Sequence, residues 1–94
     1  MMPGIVREGD VNSAGGKALR GDKTLIVDGK PTVVIGTPVS RHAPCRRGNK
    51  HCNAKTAGGS KLFVLNGKPV NIIGNRDTCG HPRSTGSKTF IISE

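Results

Sequence analysis

Tryptophan and tyrosine are absent from this chain, and phenylalanine occurs twice. So few large apolar side chains leave a thin core, and a single-strand nucleic-acid binder that stacks bases on aromatic platforms is disfavoured. No apolar run approaches the roughly 20 residues of a membrane-spanning helix. No window holds a helical apolar period over three turns, and 14 Gly with 6 Pro argue for tight turns instead. No signal peptide is visible at the start. Acidic residues are scarce, 6 against 15 Lys and Arg, for a net charge of +9. Cysteine is present in an odd number, 3, so a fully paired disulfide framework within one chain is excluded.

What is present is a repeat. Residues 23–36, KTLIVDGKPTVVIG, return as residues 61–74, KLFVLNGKPVNIIG, with 6 of 14 positions identical. Chance at average residue usage gives about one identity in such a window. Each copy reads as a β-hairpin, over residues 21–36 and 59–74. Asp28-Gly29 and Asn66-Gly67 supply the two positive φ angles of a type I′ turn. Pro31 and Pro69 lack an N–H, so they belong at a strand start or an edge.

A third copy is divided between the two ends. Residues 86–92, GSKTFII, match residues 59–65, GSKLFVL, and the missing return strand resembles Ile5-Val6-Arg7-Glu8-Gly9 near the start. If the terminal segments pair, three similar units surround an axis and no sheet edge is left open. The expectation is one all-β domain over residues 1–94, small and conical, built of hairpins with pseudo-three-fold symmetry. A chain this short often needs a metal or an oligomeric partner to stay folded.

The chemistry-bearing residues lie outside the hairpins. His42, Cys45, His51 and Cys52 fall in the loop of residues 37–58, and Cys79 and His81 in the loop of residues 75–85. A loop longer than about 12–15 residues in a small domain usually has a task. Both loops follow equivalent return strands, so they leave the body at one end and can converge on the axis. Zinc takes four N or S ligands in a tetrahedron and stabilises a small domain directly; six candidates stand for four places. The spacing fits no standard zinc finger, and a bridge between Cys45 and Cys52 is the competing use of two of the thiols. Metal ligation is the first expectation, zinc ahead of iron. A Cys-His hydrolase is the sharper alternative, but no base-orienting partner or oxyanion loop is recognisable, so the chain is not expected to be an enzyme. Asp77 is a candidate to hydrogen-bond a ligand from behind, or to cap its own turn.

The positive charge has three readings: a solvated basic surface, a nucleic-acid-binding module, or steering onto an acidic partner. The first is preferred, and a nucleic-acid module with a structural zinc is the alternative function.

Taken together, these residues resemble the PAAR-repeat family. Val64-Leu65-Asn66-Gly67-Lys68-Pro69 and Ile26-Val27-Asp28-Gly29-Lys30-Pro31 follow that family's hairpin frame. Arg7-Glu8-Gly9-Asp10 matches the end of its repeat, and Gly59-Ser60 and Gly86-Ser87 look like its strand openings. The resemblance implies a metal-tipped cone that caps a trimeric β-helical spike, of the VgrG type in type VI secretion or of a contractile phage tail. It implies one chain per spike trimer and puncture of a target membrane, with no nucleic acid bound. The chain would be made in the cytoplasm without a signal peptide and delivered outward on the spike. It also implies zinc on three His and one Cys: here His42, His51, Cys79 and His81, with Cys45 and Cys52 as alternative ligands. The family often carries a His before the two glycines of the first loop; Ala14 stands there, so all ligands come from the other two loops. No flanking extension is seen, which points to a bare tip without fused cargo.

Overall fold

A computed structural model describes residues 4–42, 45 and 51–92. No helix occurs among them; the regular structure is β1 (Asp22–Val27) with β2 (Lys30–Thr32), and β3 (Val64–Leu65) with β4 (Lys68–Pro69), each an antiparallel pair. The turns are as the dipeptides require. Asp28 and Gly29 have φ of 53° and 78°, Asn66 and Gly67 of 53° and 80°. Asp28 and Asn66 also reach outward. The Asp28 carboxylate accepts from Ser87 and Thr89 hydroxyls at 2.6 Å each, and Asn66 Nδ2 donates to Asp22 at 2.7 Å and Thr24 at 2.9 Å. Each turn thus clasps the opening of a neighbouring unit.

The strands are shorter than the hairpin pattern suggests, for a physical reason. Each return segment leaves its own hairpin within a few residues and pairs with the return segments of the other two units. Isolated bridges join Ile5 to Ile72, Arg7 to Thr32 and Val34 to Val70. The backbone bonds close into rings. Val6 N–H donates to Asn71 O (3.0 Å), Asn71 N–H to Val33 O (2.8 Å), and Val33 N–H to Val6 O (2.9 Å). A second ring runs the other way: Glu8 to Pro31 (2.9 Å), Ile35 to Pro69 (3.0 Å), Ile73 to Gly4 (3.0 Å). These two rings are the pseudo-three-fold axis. They place residues 5–8, 32–35 and 70–73 in equivalent positions.

The split third unit closes as expected. Gly4 bridges Ile91, Ile5 N–H donates to Phe90 O at 3.0 Å, and Ser87 N–H to Ile5 O at 2.8 Å. The matching bonds inside the second hairpin are Val70 N–H to Phe63 O and Ser60 N–H to Val70 O. The Gly-Ser openings also have a role: Ser60 Oγ accepts from Leu62 and Phe63 N–H, and Ser87 Oγ from Thr89 and Phe90 N–H. Asp22 does the same for Thr24 in the first unit.

The core follows the axis. Its widest layer lies at the hairpin end: Ile5, Val27, Val34, Val70, Ile72 and Ile92, with Leu25, Phe63, Leu65 and Phe90 packed on them. The layer beneath the opposite end holds only Val39, Ala54 and Cys79. The chain extends 37 × 26 × 22 Å along its principal axes. Among the described residues the N-terminal unit differs most: where the others place Val34 and Ile72 it has Arg7, which holds Asp10 through Nε (3.0 Å) and Asp28 through Nη1 (2.9 Å).

Two outcomes are expected. A Cβ at Gly4 would run into the Ser87 carbonyl oxygen in the terminal pairing, so Gly4→Ala should cost about 2–3 kcal/mol; a urea midpoint equal to the parent would contradict this closure. The second concerns Asp10. Burial alone raises its pKa, but hydrogen bonds from the Arg7 side chain, the Arg7 N–H and Thr85, together with the Arg7 charge, outweigh burial and hold it below the ordinary carboxylate value. A depressed carboxylate stabilises the fold above its unfolded pKa, and that contribution is lost as pH falls through the folded pKa. Asp10→Asn should therefore unfold at lower urea than the parent at pH 6, with the gap closing below about pH 3–4. A gap independent of pH would be the contrary result.

Candidate metal centre

Three loops leave the ends of the return segments. A Gly in left-handed conformation starts each departure: Gly9, Gly36 and Gly74 have φ of 89°, 85° and 96°. Each loop is stitched back by equivalent bonds, Ala18 N–H to Asp10 O, Thr56 N–H to Thr37 O, and Arg83 N–H to Asn75 O.

The first and third loops share one local fold. In the third, Asp77 N–H donates to His81 O and Gly80 N–H to Asp77 O, and Arg76 bridges Pro82. In the first, Asn12 N–H donates to Gly16 O and Gly15 N–H to Asn12 O, and Val11 bridges Lys17. Cys79 therefore corresponds to Ala14, and His81 to Gly16. The first loop is a ligand-free copy of the third. Its space is taken: a Cβ on Gly16 would stand 2.6 Å from His42 Nδ1. The long loop supplies His42 where the short first loop withdraws.

His42, His51, Cys79 and His81 come together in one cluster. One donor atom from each lies within 4.8 Å of all the others, and the first three residues are buried. The imidazole centroids are 4.9–5.4 Å apart. His42 Nδ1 lies 2.9 Å from Ser40 O, so it carries the proton and leaves the Nε2 lone pair aimed at Cys79 Sγ, 3.3 Å away. His81 Nδ1 meets Ser13 Oγ at 3.3 Å, while its buried Nε2 has no hydrogen-bond partner among the described residues. In a tetrahedral site of three N and one S, donors stand roughly 3.3–3.6 Å apart. A buried set of three imidazoles and a thiol, with one lone pair left unmatched, fits a metal ion.

Cys45 and Cys52 are joined to each other in a disulfide, with Cα atoms 4.9 Å apart. This corrects the reading of them as alternative ligands, because a metal takes thiolate and neither sulfur is one. The bridge serves the loop: with His42 N–H to His51 O (3.4 Å) and Cys45 N–H to His42 O (2.8 Å), it holds both ends of the long loop at the cluster.

Asp77 does not reach a ligand side chain. Its Oδ2 accepts from Asn12 Nδ2 at 2.8 Å and from Arg83 Nη1 at 2.9 Å, an ion pair with both side chains at 0% exposure. The Arg83 guanidinium also donates to the carbonyls of Asp10 and Gly16. This buried pair binds the first loop to the third. Arg83 is the functional residue that sequence reasoning missed, since nothing in its surroundings separates it from the other basic residues.

Compared with known families, the chain matches the PAAR motif over residues 8–82. The chain belongs to the PAAR-motif family. The family is associated with a structural role at spike tips. No curated protein matches the chain significantly. The match covers both interior hairpins and all four clustered donors, and so takes in the whole candidate metal centre of this PAAR chain.

Cys79→Ser and His81→Ala should each cut the metal content of the purified protein to less than half that of the parent, measured by elemental analysis. Cys45→Ser with Cys52→Ser should retain it. Retention in the first pair together with loss in the second would move the site.

Proposed function

We propose that this PAAR protein caps the blunt end of a trimeric β-helical, VgrG-like spike and sharpens it for membrane puncture. In this reading the tip carries a structural zinc held by His42, His51, Cys79 and His81, and the zinc supplies a covalent-strength closure where the core has dwindled to small side chains.

One observation carries the docking half. Ile26, Val64 and Ile91 are large apolar residues left 51%, 54% and 46% exposed. They occupy the same position in the three units, the residue after Leu25, Phe63 and Phe90. One chain thus presents one apolar contact three times about its axis, which is what a three-fold partner can meet with three copies of a single site. Lys23, Lys61 and Lys88 repeat in the same way and are exposed, so an acidic rim on the partner would complement them. The apolar trio lies at the hairpin end and the donor cluster at the other, so docking leaves the metal end pointing outward. Delivery to the outside would follow from riding on the spike.

Mixed with a trimeric spike fragment, the chain should give a complex whose mass holds one chain per trimer. Ile26→Lys with Val64→Lys should weaken that complex at least tenfold while metal content is retained. A stoichiometry of one chain per spike chain would overturn the reading.

A further inference from the structure

The end of the molecule that bears the donor cluster carries exposed positive charge of its own. Residues 37–58 contain five Lys and Arg and no Asp or Glu, and of the five Arg41 and Lys55 are described and exposed. Four exposed basic residues can be placed against the cluster directly. Lys17 N–H donates to Ser40 Oγ at 2.9 Å, and Ser40 O is the acceptor that holds the His42 ring. Arg41 precedes His42. Lys55 and Thr78 exchange bonds, Lys55 N–H to Thr78 Oγ1 (3.0 Å) and Thr78 N–H to Lys55 O (2.8 Å), next to Cys79. Arg76 Nη1 donates to Gly80 O at 2.7 Å, between Cys79 and His81. All four side chains are exposed. They come from all three loops, so they form a collar and not a stripe.

Among the described residues no exposed acid is seen beside them. Asp77 is fully buried and paired with Arg83. The other described acids are engaged elsewhere: Glu8 accepts from Gly21 N–H, Asp10 from Arg7 and Thr85, Asp22 from Asn66, and Asp28 from Arg7, Ser87 and Thr89. These lie towards the hairpins. Arg46, Arg47 and Lys50 belong to the same long loop and lie outside the described residues.

We infer that this collar is a docking surface for anionic lipid headgroups, so that the tip is held electrostatically on the target bilayer. The inference rests on the spike-tip reading, which brings this end to a membrane. The chemistry favours lipid over nucleic acid. Exposed positive charge drawn from three loops about the outward end matches a surface of phosphate groups. Both Phe pack against each other at the opposite end, at 5.8 Å between centroids, and among the described residues no helix or named strand lies at the collar to enter a groove. A Lys or Arg near an anionic leaflet strengthens binding on the order of fivefold.

The test uses the metal-loaded chain and flotation with vesicles of phosphatidylcholine alone or with about 30% phosphatidylglycerol. The parent should prefer the anionic vesicles at least tenfold, with the preference shrinking as salt rises. Lys17→Gln with Lys55→Gln should lose at least tenfold of that binding. Lys30→Gln with Lys68→Gln removes the same charge from the hairpin end and should stay within twofold. Arg41→Gln is a second collar variant, expected to lose several-fold. Equal losses from the two double variants would show net charge alone at work and overturn the proposal. So would the absence of any anionic preference, or tighter binding of a DNA or RNA oligonucleotide in the same salt. Assembly with the spike trimer is measured separately. If vesicle preference fails while one chain per trimer forms, the collar falls and the tip reading stands; the reverse result spares the collar.

Discussion

The ring of backbone hydrogen bonds through Val6, Asn71 and Val33 is the constraint from which the rest of the structure follows. Each return segment donates to one neighbour and accepts from the other, so none has a free edge. The opposed ring through Glu8, Ile35 and Ile73 fixes the register. With the axis satisfied by main chain, little core is needed around it. This explains how a chain with two Phe and no Trp holds a closed β structure. Closure also explains the short strands, because pairing that would lengthen a hairpin goes to the axis instead.

Symmetry stops where the chemistry begins. The three loop departures are equivalent, but the loops differ in what they bring. The first and third share a turn, yet only the third carries Cys79 and His81. The first has Ala14 and Gly16, and Gly16 leaves room for His42. Four donors cannot be shared equally among three repeats, so one repeat must give more than another. Here the long loop gives His42 and His51 and the first loop gives space. The asymmetry costs the first loop its tie to the cluster, and the buried pair of Arg83 and Asp77, with Asn12, replaces it. Such a pair is held only because its neighbours satisfy it, and removing one partner would strand a charge.

The two ends of the molecule differ in how their surface residues repeat, for one reason. At the hairpin end the repeats stay alike, so an exposed residue can appear three times, as Ile26, Val64 and Ile91 do. At the loop end they diverge, so basic residues gather from three different sequences about a site that only two of the loops build.

Much of this was legible in the chain itself. Asp28-Gly29 and Asn66-Gly67 determine their turns because only residues tolerant of positive φ sit there, and the repeated frame around them determines that the units are alike. The kinship of residues 86–92 with residues 59–65 was enough to foretell the terminal pairing, since an unfinished hairpin leaves an edge in need of a partner. The donor residues could be counted but not assigned. That Cys45 and Cys52 turn to each other depends on the path of the long loop. That Gly16 corresponds to His81 depends on backbone bonds shared by two stretches with almost no common residues. That Arg83 is buried, alone among the described basic side chains, depends on Asp77 and Asn12 meeting it from two loops. Local φ preference and alternation are written residue by residue; which side chains share a buried space is decided only when distant segments close on one axis.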